Sequence, residues 1–186
     1  MKAFHEDKLV AKLAEIIALE CGIIPAKAKQ IGIAAMLHDI GKQKISPKLL
    51  NKPGKLTAEE FEQMKSHTTI GAEMLNSIQG ELGVMVRTIA EFHHEKRDGS
   101  GYWGKRLCEL PPYVEIVALA DIFTALACVR PYKKSWPPEE VLAYIENLSD
   151  THFSPALVEM FISLVLNDSR VAAVFKEGGG CHSRGY

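Results

Sequence analysis

The chain has 186 residues, of which 47% are hydrophobic and 24% are charged. This composition is typical of a folded globular protein and excludes a collagen-like or disordered chain. Lys and Arg number 22 against 23 Asp and Glu, so the formal net charge is -1. A balance of this kind gives no global positive field, and we expect neither duplex nucleic acid nor a membrane surface as a partner.

The sequence also limits the cellular setting. The longest apolar runs fall far short of the roughly 20 residues that span a bilayer, and the N-terminus lacks a signal-peptide pattern. We therefore predict a cytoplasmic protein. The cysteines show no short paired spacing, which favours free thiols over a zinc knuckle or a disulfide framework; they are Cys21, Cys108, Cys128 and Cys181.

Hydrophobic residues recur with helical spacing from the start of the chain. Leu9, Leu13 and Ile16 predict a first helix that closes at Gly22. A second helix is predicted to open at Pro25 and to run until a glycine at position 41.

The middle of the chain contains a helix start with a recognisable cap. Thr57 with Glu60 reads as a capping box, and that helix should continue to about Asn76. A further helix is predicted from about Leu82. It gives way to the glycine-rich residues 98–101, which belong to a loop that continues to about Pro112. The remaining predicted helices cover 113–129, 138–147, 155–166 and 169–176.

These elements predict an all-α fold, a single helical, bundle-like domain over residues 1–176. Residues 177–186 contain three consecutive glycines and are predicted to form a flexible tail.

Histidines and an aspartate cluster at predicted helix ends. His38 and Asp39 end one helix, His67 lies in the next long helix, and His93 and His94 end another. A lone histidine is more often structural, but paired imidazoles and carboxylates are the ligand set of Zn, Fe, Mn or Ni. Because a carboxylate can bridge two ions and a histidine cannot, Asp39 is the natural bridge.

Two further features bear on a metal site. Asp121 interrupts an apolar segment, and a buried carboxylate needs a cation or hydrogen-bond donors. Adjacent residues on a helix diverge by about 100°. His93 and His94 can therefore share one site only at a helix end, which their position before the glycine-rich loop permits.

Five segments together resemble the HD-GYP branch of the HD superfamily of metal-dependent phosphohydrolases, and the resemblance covers nearly the whole chain. Residues 38–42 resemble HDxGK, 51–60 resemble KPGxLTxEE, 64–71 resemble MxxHxxxG, 93–102 resemble HHExxDGxGY, and 120–133 contain the AD and RPYK elements.

The resemblance implies an enzyme that hydrolyses a cyclic dinucleotide, chiefly cyclic di-GMP, with two divalent metal ions. Iron or manganese is expected, with zinc and nickel as alternatives, and a metal-bridging hydroxide would attack the phosphorus. The implied metal ligands are Glu6, His38, Asp39, His67, His93, His94 and Asp121. Asp39 and Lys42 would be catalytic, with Lys42 facing the phosphate; Tyr102, Arg130 and Lys133 would join it in binding the substrate.

The chain departs from the family pattern at several positions. Trp103 stands where the family has proline, and Thr124 stands where it usually has aspartate. The upstream ligand position falls on Glu6, with His5 one residue away as the alternative. A third metal would need an acid where the chain has Lys2, so two metals are expected.

Two alternatives to this cyclic-dinucleotide phosphodiesterase stay open. One is a phosphohydrolase for another nucleotide. The other, suggested by Trp103 and Thr124, is a non-catalytic domain that binds a cyclic dinucleotide or a protein partner. A sensor or receiver domain outside this chain is an expected partner, whereas the sequence predicts no oligomeric state. His152 and His182 are interpreted as structural residues.

Overall fold

The computed structural model describes residues 2–128 and 136–177 of the chain, and within these ranges the regular structure is entirely helical. The prediction of an all-α fold is therefore confirmed. The tail predicted from residue 177 lies, from 178 onward, outside the described residues. The α-helices are α1 (Lys2–Glu20), α2 (Pro25–Ala35), α3 (Pro47–Leu50), α4 (Ala58–Lys65), α5 (His67–Met74), α6 (Gly80–Phe92), α7 (Pro112–Ala127), α8 (Pro138–Asn147), α9 (Pro155–Asn167) and α10 (Ser169–Glu177).

The core is built around the contact of α1 with α2 and α7. Leu13 and Ile17 of α1 are fully buried, as are Val117 and Leu119 of α7 and Ile89 of α6. Full burial of an aliphatic side chain contributes about 1.5–3 kcal/mol, so this apolar centre fixes the relative positions of the three helices. The core therefore also fixes the positions of the helix ends that carry the histidines.

The second helix is shorter than the sequence predicted. It ends at Ala35 instead of reaching Gly41. The backbone N–H of His38 and its ring Nδ1 both bond to the carbonyl of Ala35. In a continuing α-helix this carbonyl would instead accept a hydrogen bond from the backbone N–H of Asp39. A 3-10 turn over Ile40–Lys44 follows.

Gly41 allows this turn to lie directly on α5. A Cβ atom at position 41 would come within 1.9 Å of the carbonyl oxygen of His67, so only glycine fits. The close approach brings His38 and Asp39 next to the first residue of α5.

The predicted helix over 57–76 is divided in two at Ser66, although its capping box is present. The Ser66 hydroxyl donates to the Gln63 carbonyl, and the next two hydroxyls, of Thr68 and Thr69, also donate to carbonyls three residues back. Such bonds compete with the helical backbone pattern and favour a break. His67 consequently begins a new helix.

Two predictions about the chain's surface chemistry can be compared with the structure. None of the described helices has the length and apolar character needed to cross a bilayer. Among the described residues, Cys21, Cys108 and Cys128 form no disulfide with one another, whereas Cys181 lies outside the described residues.

Candidate metal centre

His38, His67 and His93 are almost completely buried, and their Nδ1 atoms all bond to backbone carbonyls. Nδ1 of His38 lies 2.6 Å from the Ala35 oxygen, and Nδ1 of His67 lies 2.6 Å from the Met64 oxygen. Nδ1 of His93 lies 3.0 Å from the oxygen of Ile89. Because a carbonyl only accepts, these bonds place the ring proton on Nδ1 and leave the lone pair of each Nε2 free for a metal ion.

The three Nε2 atoms converge on the carboxylate of Asp39. Its Oδ1 atom lies 3.3 Å from Nε2 of His67 and 3.7 Å from Nε2 of His93, while its Oδ2 atom lies 3.4 Å from Nε2 of His38. The two carboxylate oxygens therefore face different histidines. This is the arrangement that a bridging ligand requires.

Four of these atoms are buried and have no hydrogen-bond partner among the residues that the structure describes: Nε2 of His38, His67 and His93, and Oδ1 of Asp39. Burying one such polar atom unpaired costs about 1–3 kcal/mol. Four in one place, all able to donate a lone pair, fit bound metal cations.

The donor atoms form two groups that share one residue. Within each group the atoms lie within 4.8 Å of one another. The first group contains Asp39, His67, His93 and His94, and the second contains Asp7, His38 and Asp39. Two ion positions with Asp39 between them are compatible with these groups.

His94 joins the first group although it is adjacent to His93. His93 caps the C-terminus of α6, so the chain leaves the helix between the two rings. Their ring centroids lie 4.1 Å apart, and that of His94 lies 5.3 Å from His67. The expectation that a helix end permits this pairing agrees with the geometry.

Asp121 and Lys42 flank the second group. Oδ1 of Asp121, in the middle of α7, lies 3.7 Å from Nε2 of His38. The ammonium group of Lys42 forms an ion pair with Asp39 Oδ2. Asp121, which interrupts an apolar segment of the sequence, therefore lies at this centre.

Asp7 is a member of the second group that sequence reasoning missed. The sequence placed the upstream ligand at Glu6, but the donor group contains Asp7, and Glu6 is in neither group. A one-residue shift on α1 turns a side chain by about 100°. Only the packing of α1 on α2 and α7 decides which residue faces the centre.

Burial and the neighbouring charges shift the pKa values of these residues. Burial opposes the charged form of His38, but the carboxylates of Asp39 and Asp121 outweigh it and raise its pKa well above the usual value, so a metal ion would displace a proton from Nε2 of His38 when it binds. Burial also lowers the pKa of His93, and burial together with His93 lowers that of His94 strongly. At neutral pH His93 and His94 are thus neutral, which is the form that binds metals.

Asp7 and Asp39 belong to the donor group of His38, and their pKa values shift in opposite directions. Burial raises the pKa of Asp7 to about 6, because its effect is larger than the opposing effect of the neighbouring His38. Burial also acts to raise the pKa of Asp39, but the contact with His38 outweighs it and lowers that pKa well below the usual range. Asp39 is therefore a carboxylate at neutral pH.

The loop after His94 is held by Glu95, which is 2% exposed. Its two carboxylate oxygens accept hydrogen bonds from the backbone N–H groups of Trp103, at 2.6 Å, and Lys105, at 2.7 Å. The indole Nε1 of Trp103 donates to the hydroxyl of Thr68 at 3.1 Å, next to His67. A proline at position 103 would lack the backbone donor, so the departure from the family pattern strengthens the anchoring of the loop.

This anchored loop places Tyr102 beside the centre. The ring centroids of Tyr102 and His94 lie 4.4 Å apart. A cavity of about 280 Å³ opens here, bordered by His93, His94 and Tyr102. His152, interpreted from the sequence as structural, also borders it. The other described residues in its wall are Phe61, Lys65, Glu95, Lys96, Ser100, Gly101, Ala118, Ile122 and Phe153.

Most of the sequence-predicted site residues that the structure describes lie together. These are His38, Asp39, His67, His93, His94, Asp121, Lys42 and Tyr102. Arg130 and Lys133 lie outside the described residues, and the side chain of His5 does as well.

A helical fold whose buried histidines surround a carboxylate shared by two donor groups defines a class of metal-binding helical domains. Comparison with known families agrees, because a family profile described as HD domain matches residues 2–157. The chain belongs to the HD domain family.

Curated proteins with similar sequences are named as phosphodiesterases. A cyclic di-GMP phosphodiesterase of Thermotoga maritima is 44% identical over 165 residues, covering 88% of this chain and 45% of that protein. A 3'3'-cGAMP-specific phosphodiesterase of Vibrio cholerae is 38% identical over 154 residues, covering 82% of this chain and 30% of the relative. The chain thus spans less than half the length of either relative.

A solved structure shares the fold. An HDG"Y"P protein from Bdellovibrio bacteriovorus superimposes with a TM-score of 0.72 at 22% identity. The match covers 89% of this chain and 53% of that one.

Proposed function

We propose that this protein is a metal-dependent phosphodiesterase of the HD-GYP type that hydrolyses a cyclic dinucleotide, with cyclic di-GMP as the first candidate. The observation that carries the proposal is the pair of donor groups that share Asp39. The names of the two curated relatives support a cyclic dinucleotide as the substrate class.

The site residues fit two divalent ions. Imidazole nitrogen and carboxylate oxygen suit iron, manganese, zinc and nickel, and we propose iron or manganese. When bound, such a pair of ions supplies a water activated for attack at neutral pH and positive charge opposite the phosphate. The proposed ligands of the two ions are Asp7, His38, Asp39, His67, His93, His94 and Asp121, with Asp39 bridging. Glu6 stays the alternative to Asp7.

The chain contributes groups that bind and orient the phosphate. The ammonium group of Lys42 lies against Asp39 at the edge of the cluster, with 39% of its side chain exposed, so a phosphate can reach it. We assign Lys42 the role of neutralising phosphate charge. Tyr102, fixed beside His94, would exclude water from one side of the substrate.

Several sequence predictions remain part of this proposal. Arg130 and Lys133 are proposed to bind the dinucleotide, because a guanidinium offers two parallel hydrogen bonds to a phosphate or a guanine edge. A regulatory domain outside this chain and a cytoplasmic location also stay predictions, as does the domain boundary at residue 176.

A non-catalytic domain that binds a cyclic dinucleotide is the second candidate. Thr124 favours it, because its buried hydroxyl stands where the family usually has a carboxylate and has no hydrogen-bond partner within the described ranges. The cluster of donor atoms favours the enzyme, since binding alone does not need a carboxylate that is shared by two groups of metal-ligating side chains.

Turnover separates the two candidates. Protein purified anaerobically and loaded with Fe(II) or Mn(II) would be incubated with cyclic di-GMP and with 3'3'-cGAMP, and the products separated by chromatography. We expect metal-dependent conversion to a linear or mononucleotide product, abolished in Asp39→Ala. Intact substrate after long incubation, together with binding detected by calorimetry, would establish the non-catalytic candidate.

A further inference from the structure

Phe61 is a large aromatic residue that borders the cavity without belonging to the core. It lies on α4, a helix with no buried residue, and is 43% exposed. Burial of apolar side chains therefore does not explain its orientation. An exposed ring in the wall of a concave site is the kind of group that a ligand covers.

The ring of Phe61 forms one side of an aromatic corner. Its centroid lies 5.5 Å from that of Tyr102, and the two planes meet at 82°. Tyr102 in turn stacks against His94 at an interplanar angle of 38°. A flat molecule that lies on one ring of the corner meets the edge of the other, so the corner favours a planar aromatic group.

The size of the cavity limits what can enter it. Its volume of about 280 Å³ is near the lower end of the range of roughly 300–1,000 Å³ that small-molecule pockets cover. The space suits one half of a dinucleotide. With a phosphate at His93 and His94, the base of that nucleotide would extend along the wall toward Phe61.

Polar side chains line the rest of the wall and suit the edge of a base. Lys65 and Lys96 offer ammonium donors, and Ser100 offers a hydroxyl. Lys65 lies one helical turn after Phe61, so both project from the same face of α4. Its ammonium group is 4.6 Å from the ring centroid of Trp103, which holds it near the cavity.

We propose that Phe61 is a substrate-positioning residue whose ring stacks on one purine base of the cyclic dinucleotide. This inference rests on the proposed function, because it assumes that the metal centre binds a phosphate of the dinucleotide whose base stacks on Phe61. Base stacking on an aromatic side chain contributes roughly five- to 150-fold in affinity per base, which corresponds to about 1–3 kcal/mol.

Phe61→Leu keeps an apolar side chain but removes the aromatic face, whereas Phe61→Trp keeps a stacking surface. Tyr144→Leu is a matched control, because Tyr144 is 40% exposed and lies on α8, outside the cavity wall. For each variant, kcat and KM for cyclic di-GMP, metal content and melting temperature would be measured. We expect Phe61→Leu to raise KM about tenfold with little change in kcat or metal content, and Phe61→Trp and Tyr144→Leu to resemble the parent.

The outcomes separate this inference from the proposed function. Turnover by the parent with an unchanged KM in Phe61→Leu would overturn the stacking role alone, as would an equal rise in KM in Tyr144→Leu. A parent that binds without turnover overturns the proposed function, and calorimetric affinities of the same variants then decide the stacking role. A parent that neither binds nor hydrolyses a cyclic dinucleotide overturns both.

Discussion

Nε2 of His67 lies 3.3 Å from Oδ1 of Asp39, and neither atom makes a hydrogen bond to any residue that the structure describes. The ring of His67 is fixed by its Nδ1 bond to the Met64 carbonyl, so it cannot turn to satisfy Nε2 elsewhere. Both atoms present lone pairs to the same space. A cation between them would satisfy both, which is why the two residues are expected to respond differently when they are changed.

Asp39→Ala should lose both metal ions, whereas His67→Ala should mainly lose one. The reason is that Asp39 belongs to both donor groups and His67 to one. Elemental analysis of anaerobically purified protein measures this directly. Glu73 is an exposed carboxylate of α5 outside both donor groups, so Glu73→Ala is the control and should keep the metal content of the parent. Equal losses in the two variants would exclude Asp39 as the shared ligand.

Asp7→Ala should lower the metal content by about one ion per chain, and Glu6→Ala should leave it unchanged. Asp7 belongs to the donor group of His38, and Glu6 to neither group. The two substitutions are adjacent, remove the same type of group and sit on the same turn of α1. The reverse result would restore the ligand predicted from the sequence.

Trp103→Pro should destabilise the protein, even though proline is the residue that the family has at this position. Proline would remove the N–H that donates to the buried carboxylate of Glu95 and the indole that donates to Thr68. A hydrogen bond to a charged group contributes about 1.5–3 kcal/mol to the free energy of unfolding.

Trp103→Phe is the companion to that variant. It keeps the backbone bond to Glu95 and loses only the indole bond to Thr68, so it should cost about 1 kcal/mol. Chemical denaturation of both variants provides the comparison. If the proline variant were as stable as the parent, the loop would not depend on Glu95 in the way that the hydrogen bonds indicate.

Thr124→Val should raise the free energy of unfolding. The hydroxyl of Thr124 is buried and has no hydrogen-bond partner in the described part of the chain, and valine has the same shape without the polar atom. Removing the desolvation cost should gain about 1 kcal/mol and leave metal content unchanged. Thr88→Val is the control, because its hydroxyl lies on the exposed side of α6 and should change stability by less than about 0.5 kcal/mol. A less stable Thr124→Val would show that the hydroxyl has a partner in solution.

The sequence was a good guide to the centre where residue type and helix position together decide the outcome. His93 and His94 could be placed in one site because the glycine-rich loop ends the helix directly after them. Asp39, which the sequence predicts as a bridging ligand because carboxylates can bind two ions and imidazoles cannot, belongs to both donor groups.

The sequence was a poor guide where tertiary packing decides. Glu6 and Asp7 differ by one step on α1, and only the contact of α1 with α2 and α7 selects between them. The break at Ser66 has no glycine or proline to indicate it, since it depends on hydroxyl groups bonding to carbonyls three residues back. The closeness of Phe61 to Tyr102 joins distant segments, and no local pattern predicts it.

The proposal that the centre holds two metal ions and needs them for hydrolysis can be tested by titrating metal-free protein with Mn(II) or Fe(II) under anaerobic conditions. Hydrolysis of cyclic di-GMP would be followed at each step. Because the two donor groups share Asp39, we expect activity to rise until about two equivalents of metal per chain are bound, and to disappear again on chelation. Hydrolysis that persists in chelator, or a full rate at one equivalent per chain, would contradict a dinuclear centre.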